Sequence, residues 1–330
     1  MKSVLFSILL VSLAVTGFPE GQTYPSKKLL EWADLKAGKG PVYGQGWSPD
    51  GNRIVTADFD QIRVWNANNG RELAVMKGHT EFIWGLAWAP DGQIVASANQ
   101  DGSVRLWNME DYSQIKQMQT GWAFCVAWLP DGKKLVTGNR GGFVQIWDRE
   151  SGELIQSFTS GNYSFIISVA CSPDGKTIAA GRLNGEIELW DVETSQVRLT
   201  LNNYSESRCD VNGLAWSPDG GLLASAHQDK TVRIWDGVNP NPIQSLEAHA
   251  GWARGLAWSP DGSLLATTGE DKKIYLWDTK TWEKYAWEEH SFLPVWSISW
   301  SPDGKKVASG AGKYETPHTG ATIIWIVPSL

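Results

Sequence analysis

The chain has 330 residues, of which 42% are hydrophobic and 20% are charged, a composition typical of a globular protein and unlike that of a disordered one. Its net charge of −7, with no basic run longer than two residues, argues against a general phosphate-binding surface and against non-specific nucleic-acid binding. The three cysteines are too few for a disulfide framework, whereas 20 tryptophans are an excess that requires a repeating structural cause.

Residues 1–17 have the order of a secretory signal peptide. A lysine precedes an apolar run that extends from Val4 to Val15, and Val15 and Gly17 occupy the −3 and −1 positions of a cleavage site. The run is short for a membrane span, so we expect no stable membrane insertion after its removal and a secreted or periplasmic protein. The alternative is an N-terminal extension or short anchor, which would leave the protein in the cytoplasm. Residues 18–27 are interpreted as a linker.

Residues 28–330 form one predicted domain that is built from an internal repeat. A phrase of the type Pro-Asp-Gly recurs at intervals of 40 to 45 residues, with prolines at Pro49, Pro90, Pro130, Pro173, Pro218, Pro260 and Pro302. A second phrase, which ends near Trp-Asp, follows each time, with tryptophans at Trp65, Trp107, Trp147, Trp190, Trp235, Trp277 and Trp325. Because every repeat carries both phrases, most of the tryptophan excess is structural.

Each repeat is predicted to form four short antiparallel strands, a to d. Strand a ends at the Pro-Asp-Gly turn, where proline fixes φ, glycine accepts a positive φ, and aspartate bonds to the backbone, which makes this aspartate architectural. Strands a and c have consecutive apolar residues, so both faces of each sheet should be covered. The pattern predicts an all-β, seven-bladed propeller. Its strand-a and strand-c cores are placed near 42–66, 83–108, 123–148, 166–191, 211–236, 253–278 and 295–327.

The pair Gly78-His79 and the Trp-Asp pairs at 147–148, 190–191, 235–236 and 277–278 resemble the WD40 repeat family over about residues 29–329. The resemblance implies one structural, non-catalytic hydrogen-bond network per blade. It consists of His79, Ser97, Asp101 and Trp107 in the second repeat. It consists of His249, Thr267, Asp271 and Trp277 in the sixth repeat. The fifth repeat keeps Ser225, Asp229 and Trp235 but lacks the histidine.

The last repeat ends at its strand c, so its fourth strand must come from another part of the chain. An unclosed ring would leave two open sheet edges, which proteins avoid. The segment at 28–32 precedes the first turn at a suitable distance and has the composition of a strand. We expect it to complete the seventh blade beside residues 322–327.

One end of the ring, where each strand a begins, is called here the funnel face. Positions four and six residues before the end of strand a should lie at its mouth, and many of them are aromatic. The predicted partner-binding residues are Tyr43, Phe82, Trp84, Trp122, Phe124, Phe165, Asp210, Asn212, Trp252, Arg254 and Trp296. Aromatic and arginine side chains dominate recognition sites. The alternative is that several of these rings are additional core between blades.

No catalytic, cofactor or metal motif is apparent in the sequence: there is no phosphate loop, no paired-cysteine motif and no nucleophile elbow. His227 and His318 fall in connections between strands b and c and are expected to be solvated. Asn162 and Asn203 begin two candidate glycosylation sequons near the funnel face.

We therefore interpret the chain as a non-catalytic, exported scaffold without a cofactor. It is expected to act as a monomeric propeller within a complex and to bind a protein or peptide partner through the funnel face. Two alternatives remain open. One is a small-molecule or glycan binder, or an enzyme, that uses the same funnel. The other is an intracellular WD40 scaffold.

Overall fold

The computed structural model describes residues 27–35, 40–161, 163–201, 209–290, 293–313 and 320–328. These residues form 28 strands and no helix, so none of them contributes a helix able to cross a membrane. The predicted signal peptide at 1–17, both glycosylation candidates, Asn162 and Asn203, and His318 lie outside the described residues.

The strands form seven four-stranded antiparallel sheets, which are the seven predicted blades. Blades 1 and 2 comprise β2 (Gln45–Trp47), β3 (Arg53–Asp58), β4 (Gln61–Asn66) and β5 (Glu72–Lys77), then β6 (Ile83–Trp88), β7 (Ile94–Asn99), β8 (Ser103–Asn108) and β9 (Gln114–Gln119). Blades 3 and 4 comprise β10 (Ala123–Trp128), β11 (Lys134–Asn139), β12 (Val144–Asp148) and β13 (Leu154–Phe158), then β14 (Ile166–Cys171), β15 (Thr177–Arg182), β16 (Ile187–Asp191) and β17 (Val197–Leu201).

Blades 5 and 6 comprise β18 (Val211–Trp216), β19 (Leu223–His227), β20 (Thr231–Trp235) and β21 (Gln244–Glu247), then β22 (Ala253–Trp258), β23 (Leu264–Gly269), β24 (Lys273–Asp278) and β25 (Lys284–Glu289). Blade 7 comprises β26 (Val295–Trp300), β27 (Lys306–Ala311), β28 (Ala321–Ile326) and, from the beginning of the chain, β1 (Leu30–Leu35). The two ends of the repeat array therefore share one sheet.

The aspartate of each Pro-Asp-Gly turn hydrogen-bonds to the backbone of its own turn. In all seven turns its Oδ1 accepts the backbone N–H two residues later, at 2.9–3.1 Å. The following glycine has a φ between 67° and 73°. In blade 5 the Ser217 hydroxyl and the Gly221 N–H both donate to Asp219, and these bonds hold the pKa of the Asp219 carboxyl below its usual value. These aspartates are architectural, as predicted.

The blades are buried on both faces. Strands β7, β15 and β23, the second strands of blades 2, 4 and 6, are buried at every residue. The outer strand β9 instead has several exposed side chains. One core cluster combines Leu106 of blade 2 with Trp128 and Leu135 of blade 3, so the core lies between blades. A single blade could not cover its own apolar faces.

Indole hydrogen bonds connect neighbouring blades along the inner strands. The tryptophan at the end of an inner strand donates its Nε1–H to a carbonyl oxygen of the preceding blade's inner strand. The pairs are Trp88 to Gly46, Trp128 to Ala87, Trp216 to Ala170, Trp258 to Ala215 and Trp300 to Ala257, at 3.0–3.3 Å. Blade 4 has Cys171 in place of this tryptophan. The Nε1 of Trp47 in blade 1 has no hydrogen-bond partner.

The strand that completes blade 7 is β1, and it pairs with β28 from Leu30 opposite Ile326 to Leu35 opposite Thr322. The strand predicted at 28–32 begins too early. Lys28 instead forms an isolated bridge with Trp287 of blade 6. Leu35, which is 2% exposed, belongs to the core cluster between blades 7 and 1, so burial of Leu35 sets the strand further along the chain.

We predict that Trp128→Phe lowers the free energy of unfolding by about 1 kcal/mol more than Trp47→Phe does. Both side chains are 8% exposed and both substitutions shrink the ring equally, but only the Trp128 indole makes an inter-blade hydrogen bond. Urea denaturation of the two variants measures the difference. Equal losses of stability would show that these indole hydrogen bonds do not contribute.

Candidate functional site

The inner strands surround a cavity of about 340 Å³ that opens at the funnel face. All seven blades contribute to its lining, which consists of Tyr43, Trp84, Phe124, Phe165, Ile167, Leu183, Asp210, Asn212, Arg254 and Trp296. Apart from Phe82, Trp122 and Trp252, the predicted partner-binding residues all lie in this wall. The structure therefore brings together at one cavity residues that are as much as 253 positions apart, from Tyr43 to Trp296.

A β-bulge aims one side chain of the inner strand into the cavity in blades 2 to 7. In blade 2 the register passes from Ile83 opposite Asn99 to Gly85 opposite Ala98, so Trp84 has no partner residue in the ladder. The same shift, at the second residue of the strand, occurs in blades 3, 4, 5 and 7, and in blade 6 it spans Arg254 and Gly255. The residues at these shifts are Phe124, Ile167, Asn212, Arg254 and Trp296. A bulge redirects a side chain, which explains why these residues face the funnel and not an inter-blade core.

Five rings form a continuous arc around the cavity, called here the aromatic arc: Trp296, Tyr43, Trp84, Phe124 and Phe165. Tyr43 stacks on Trp84 with ring centroids 4.4 Å apart and meets Trp296 edge-on at 5.0 Å. Trp84 and Phe124 lie 5.9 Å apart, as do Phe124 and Phe165. The contact between Tyr43 and Trp296 crosses the junction of blades 1 and 7, so the arc depends on ring closure.

The predicted residues that do not line the cavity lie on its outer rim. Trp122 and Trp252 are 40% and 37% exposed. Arginine guanidinium groups cover faces of these rings: Arg140 lies 4.2 Å from the Trp122 centroid, and Arg254 lies 4.6 Å from the Trp252 centroid. Phe82 is half-buried and packs edge-on against Phe59 at 4.4 Å. Phe82 therefore packs against neighbouring rings of the rim and does not line the cavity.

Blades 5 and 6 form a polar sector of the wall. The Arg254 guanidinium lies between the Trp252 and Trp296 rings, 4.4 Å from the Trp296 centroid. It donates to Glu270 at 2.5 Å and to the side chain of Asn212 at 3.1 Å. Arg254 is therefore held by four side chains, and its charge is balanced by Glu270.

Backbone hydrogen bonds fix the loops of the rim. In six blades the residue after the second strand donates its N–H to the carbonyl of the connection that enters the inner strand. The donors and acceptors are Gln100 to Phe82, Arg140 to Trp122, Leu183 to Phe165, Gln228 to Asp210, Glu270 to Trp252 and Gly312 to Pro294, at 2.9–3.2 Å. The backbone that carries the rim side chains is consequently fixed before any partner arrives, which lowers the entropic cost of binding.

These donors also explain which site residues the sequence analysis missed. Leu183 lines the cavity, and Arg140 covers Trp122 and Phe165, but neither lies at the positions that were read around the ring. Both directly follow a second strand. Because five of the six donors are bonded to a predicted rim residue, the position after the second strand is the signal that would have found them.

The two networks implied by the sequence are present within blades 2 and 6. In blade 2 the Trp107 Nε1–H donates to Ser97 Oγ at 2.8 Å, Ser97 Oγ lies 2.7 Å from His79 Nε2, and His79 Nδ1 lies 2.8 Å from Asp101. Burial alone would raise the pKa of Asp101, but hydrogen bonds from His79 and Ser103 outweigh it and lower that pKa. In blade 6 the corresponding bonds are 3.0, 3.0 and 2.9 Å long, and they join Trp277, Thr267, His249 and Asp271.

The order Ser97, His79, Asp101 is chemically that of a hydrolase triad, yet its environment suits a structural role. A nucleophilic serine must reach a substrate, whereas Ser97 is 0% exposed and its oxygen already accepts the Trp107 indole. The bond pattern requires that His79 carry its proton on Nδ1 and that Ser97 donate to Nε2. The buried polar groups of the network therefore hydrogen-bond to one another, and these bonds fix the position of the tryptophan in strand c.

The structure corrects the prediction that His227 is a solvated loop residue. His227 ends β19, is 0% exposed, and its Nε2 lies 2.7 Å from Ser225 Oγ, which also accepts the Trp235 indole at 2.8 Å. His227 thus replaces the histidine that the fifth repeat lacks. Blade 4 uses a different solution, in which the buried Glu188 accepts the Trp190 indole at 3.2 Å. The Glu188 carboxylate also pairs with the fully buried Arg182 at 2.7 Å.

Within the described residues, no group of three or more His, Cys, Asp or Glu side chains is arranged to hold a metal ion. Cys125 and Cys171 form no disulfide. Burial raises the pKa of the Cys125 thiol to about 12.

Comparison with known proteins identifies the repeats. The family model described as "WD domain, G-beta repeat" matches residues 70–108, 114–148, 152–191, 198–236, 240–278 and 283–314, which together are more than half of the chain. Each of the first five matches covers strand d of one blade and strands a to c of the next, and the sixth ends before strand c of blade 7.

Curated relatives match over shorter stretches. Periodic tryptophan protein 2 of Arabidopsis thaliana is 27% identical over 58% of this chain and 17% of its own length. Nuclear distribution protein PAC1 of Coccidioides posadasii is 41% identical over 16% of this chain and 12% of its own length. Protein HIR1 of Cryptococcus neoformans is 44% identical over 14% of this chain and 5% of its own length. The chain thus spans a small part of each of these relatives.

We predict that the protein loses stability as the pH falls below about 6.5, because two buried histidines resist protonation. Burial lowers the pKa of His227 to about 3 and that of His290 to about 4. The unfolded chain takes up these protons near pH 6.5 and the folded chain does not, so each histidine adds about 1.4 kcal/mol of destabilisation per pH unit below that value. Urea denaturation between pH 7 and pH 4.5 measures the slope.

The matched variant is His227→Gln, which removes one titrating group and keeps a polar side chain. Its free energy of unfolding should depend less steeply on pH than that of the wild type. The difference in slope should correspond to about one proton fewer taken up on unfolding in the same pH range. An unchanged slope would contradict the account of His227.

Proposed function

Because the chain belongs to the WD40 repeat family, we propose that it is a non-catalytic scaffold that binds a protein or peptide partner at the funnel face. The observation that carries the proposal is the aromatic arc, with its bulged side chains and the rim loops that backbone hydrogen bonds hold in place. Aromatic residues and arginine are the residue types that anchor interfaces, and this cavity brings together five aromatic rings and one arginine that its neighbours hold in place.

The dimensions of the site favour a side chain or a short segment as the bound element. The cavity of about 340 Å³ is at the lower end of the range of ligand pockets. The exposed indoles of Trp122 and Trp252 extend the apolar surface beyond the cavity onto the rim. A loop or extended peptide that inserts one side chain and lies across the rim would use both features.

The buried histidines support a non-catalytic role. His79, His249, His227 and His290 are all at most 7% exposed, and the first three hydrogen-bond to serine or threonine hydroxyls inside blades. A general base has to reach the substrate, and these imidazoles are enclosed in the core. The proposal also retains export, for which the support is the residue order of 1–17, and a monomeric propeller within a larger complex.

We predict that the double variant Trp122→Ala/Trp252→Ala loses its partner while its melting temperature changes little. These side chains are exposed, so removing them costs apolar contact with a partner and only exposed cation–π contacts within the chain, each worth about 0.5–1 kcal/mol. Trp84 is unsuitable for this test because it packs on Tyr43 and Phe124 and is half-buried. The measurement is quantitative mass spectrometry of proteins co-purified with each variant from the natural host.

The matched control is Leu73→Ala/Ile115→Ala, which removes side chains of similar exposure, 40% and 44%, from outer strands. The control should keep the partner. Equal partner loss in both variants, or full binding by the rim variant, would refute a partner site at the funnel face. The mass of the purified wild-type chain tests export at the same time: cleavage after Gly17 is expected, and an intact Met1 would contradict it.

A further inference from the structure

Two arginines of the funnel face differ in their ion pairing, and this difference bears on what enters the funnel. Arg254 and Arg140 both lie over aromatic rings of the funnel face. Arg254 is paired with Glu270 at 2.5 Å. Arg140 is exposed and forms no ion pair with any carboxylate of the described residues. The Arg140 guanidinium is therefore available to a carboxylate of a partner.

Arg140 has a defined position. Its guanidinium carbon lies 4.2 Å from the Trp122 centroid and 5.4 Å from the Phe165 centroid, so it bridges the outer rim and the cavity wall. Its backbone N–H is fixed by the Trp122 carbonyl at 2.9 Å. A guanidinium stacked in this way keeps its N–H edge available for a carboxylate, which it can bind in a bidentate manner.

The same contacts disfavour a cationic side chain inside the cavity. Aromatic faces attract cations, but Arg254 and Arg140 already cover faces of the rings at both ends of the arc, namely Trp296 and Phe165. A lysine or arginine of a partner would meet the Arg140 charge near Phe165, and the Trp296 face is already covered by Arg254. Asp210 is the one carboxylate in the cavity wall, and it lies in blade 5, which contributes no ring to the arc.

We propose that the funnel binds an extended acidic–apolar segment of the partner, with a neutral aromatic or aliphatic side chain in the cavity and a neighbouring carboxylate on the Arg140 guanidinium. This inference rests on the proposed function and specifies the partner's chemistry. Because Arg140 lies over the rings of Phe165 and Trp122, we expect the carboxylate of the segment to lie on the blade 3 side of the funnel. Charge complementarity between Arg140 and the carboxylate supplies specificity and faster association.

The test is a selection of random twelve-residue peptides displayed on phage against the immobilised full chain. Enriched peptides should share a Phe, Trp, Leu or Ile, with an Asp or Glu within a few positions, and should not bind the Trp122→Ala/Trp252→Ala variant. Synthetic copies are then titrated by fluorescence anisotropy. Arg140→Glu should weaken the acidic peptides about tenfold or more and should select peptides with Lys or Arg at the same position.

The matched control is Arg71→Glu, which makes the same charge change at an exposed residue between β4 and β5, and it should leave affinities within about twofold. Funnel-dependent peptides anchored by Lys or Arg, or acidic peptides that bind Arg140→Glu as well as the wild type, would overturn the inference while leaving the proposed function intact. A selection that yields no funnel-dependent peptide would count against the proposed function itself, and the inference would fall with it.

Discussion

The structure depends on one constraint: each blade is apolar on both faces and is stable only between two neighbours. Seven blades satisfy this constraint only if the ring closes. At the closure β1 pairs with β28 to complete blade 7, and blade 1 contacts blade 7 directly, as in the hydrogen bond from the Ser297 hydroxyl to the Val42 carbonyl. The pairing places Leu35 in the core between blades 7 and 1 beside Trp47 and Ile54. Without it, blade 7 would present an unpaired edge, and the two apolar faces at the junction would lose their order.

The same inner strands carry both stability and the site. At one end of an inner strand, a tryptophan donates its indole N–H to the preceding blade, as Trp128 does to Ala87. At the other end, a bulge turns one side chain into the cavity, as it does for Phe124 in that strand. The tight packing of the ring thus fixes the spacing of the funnel side chains, and the contact between Tyr43 and Trp296 makes the arc continuous across the closure. A rigid arrangement of this kind is what a scaffold needs in order to bind without reorganisation.

The repeat made the fold predictable, because local turn chemistry and apolar periodicity recur seven times and agree with each other. Most cavity-lining residues were found for the same reason, as positions at a constant distance from the strand-a tryptophan. The sequence does not predict the places where a blade uses different residues to hydrogen-bond the buried tryptophan of strand c. His227 replaces a histidine from another segment, and the Arg182–Glu188 pair replaces a hydroxyl in blade 4. Such exchanges depend on three-dimensional proximity, as does the position of Arg140 over Phe165.

Closure by β1 is the claim on which the account of both the fold and the site depends, and truncation tests it directly. Two chains are compared by calorimetry, one that begins at residue 27 and one that begins at residue 36, so that only the second lacks Leu30–Leu35. The account predicts that the first unfolds in one cooperative transition like the full chain, and that the second loses cooperativity or melts far lower. A chain that begins at residue 36 and unfolds as cooperatively, and at the same temperature, as the chain that begins at residue 27 would contradict it.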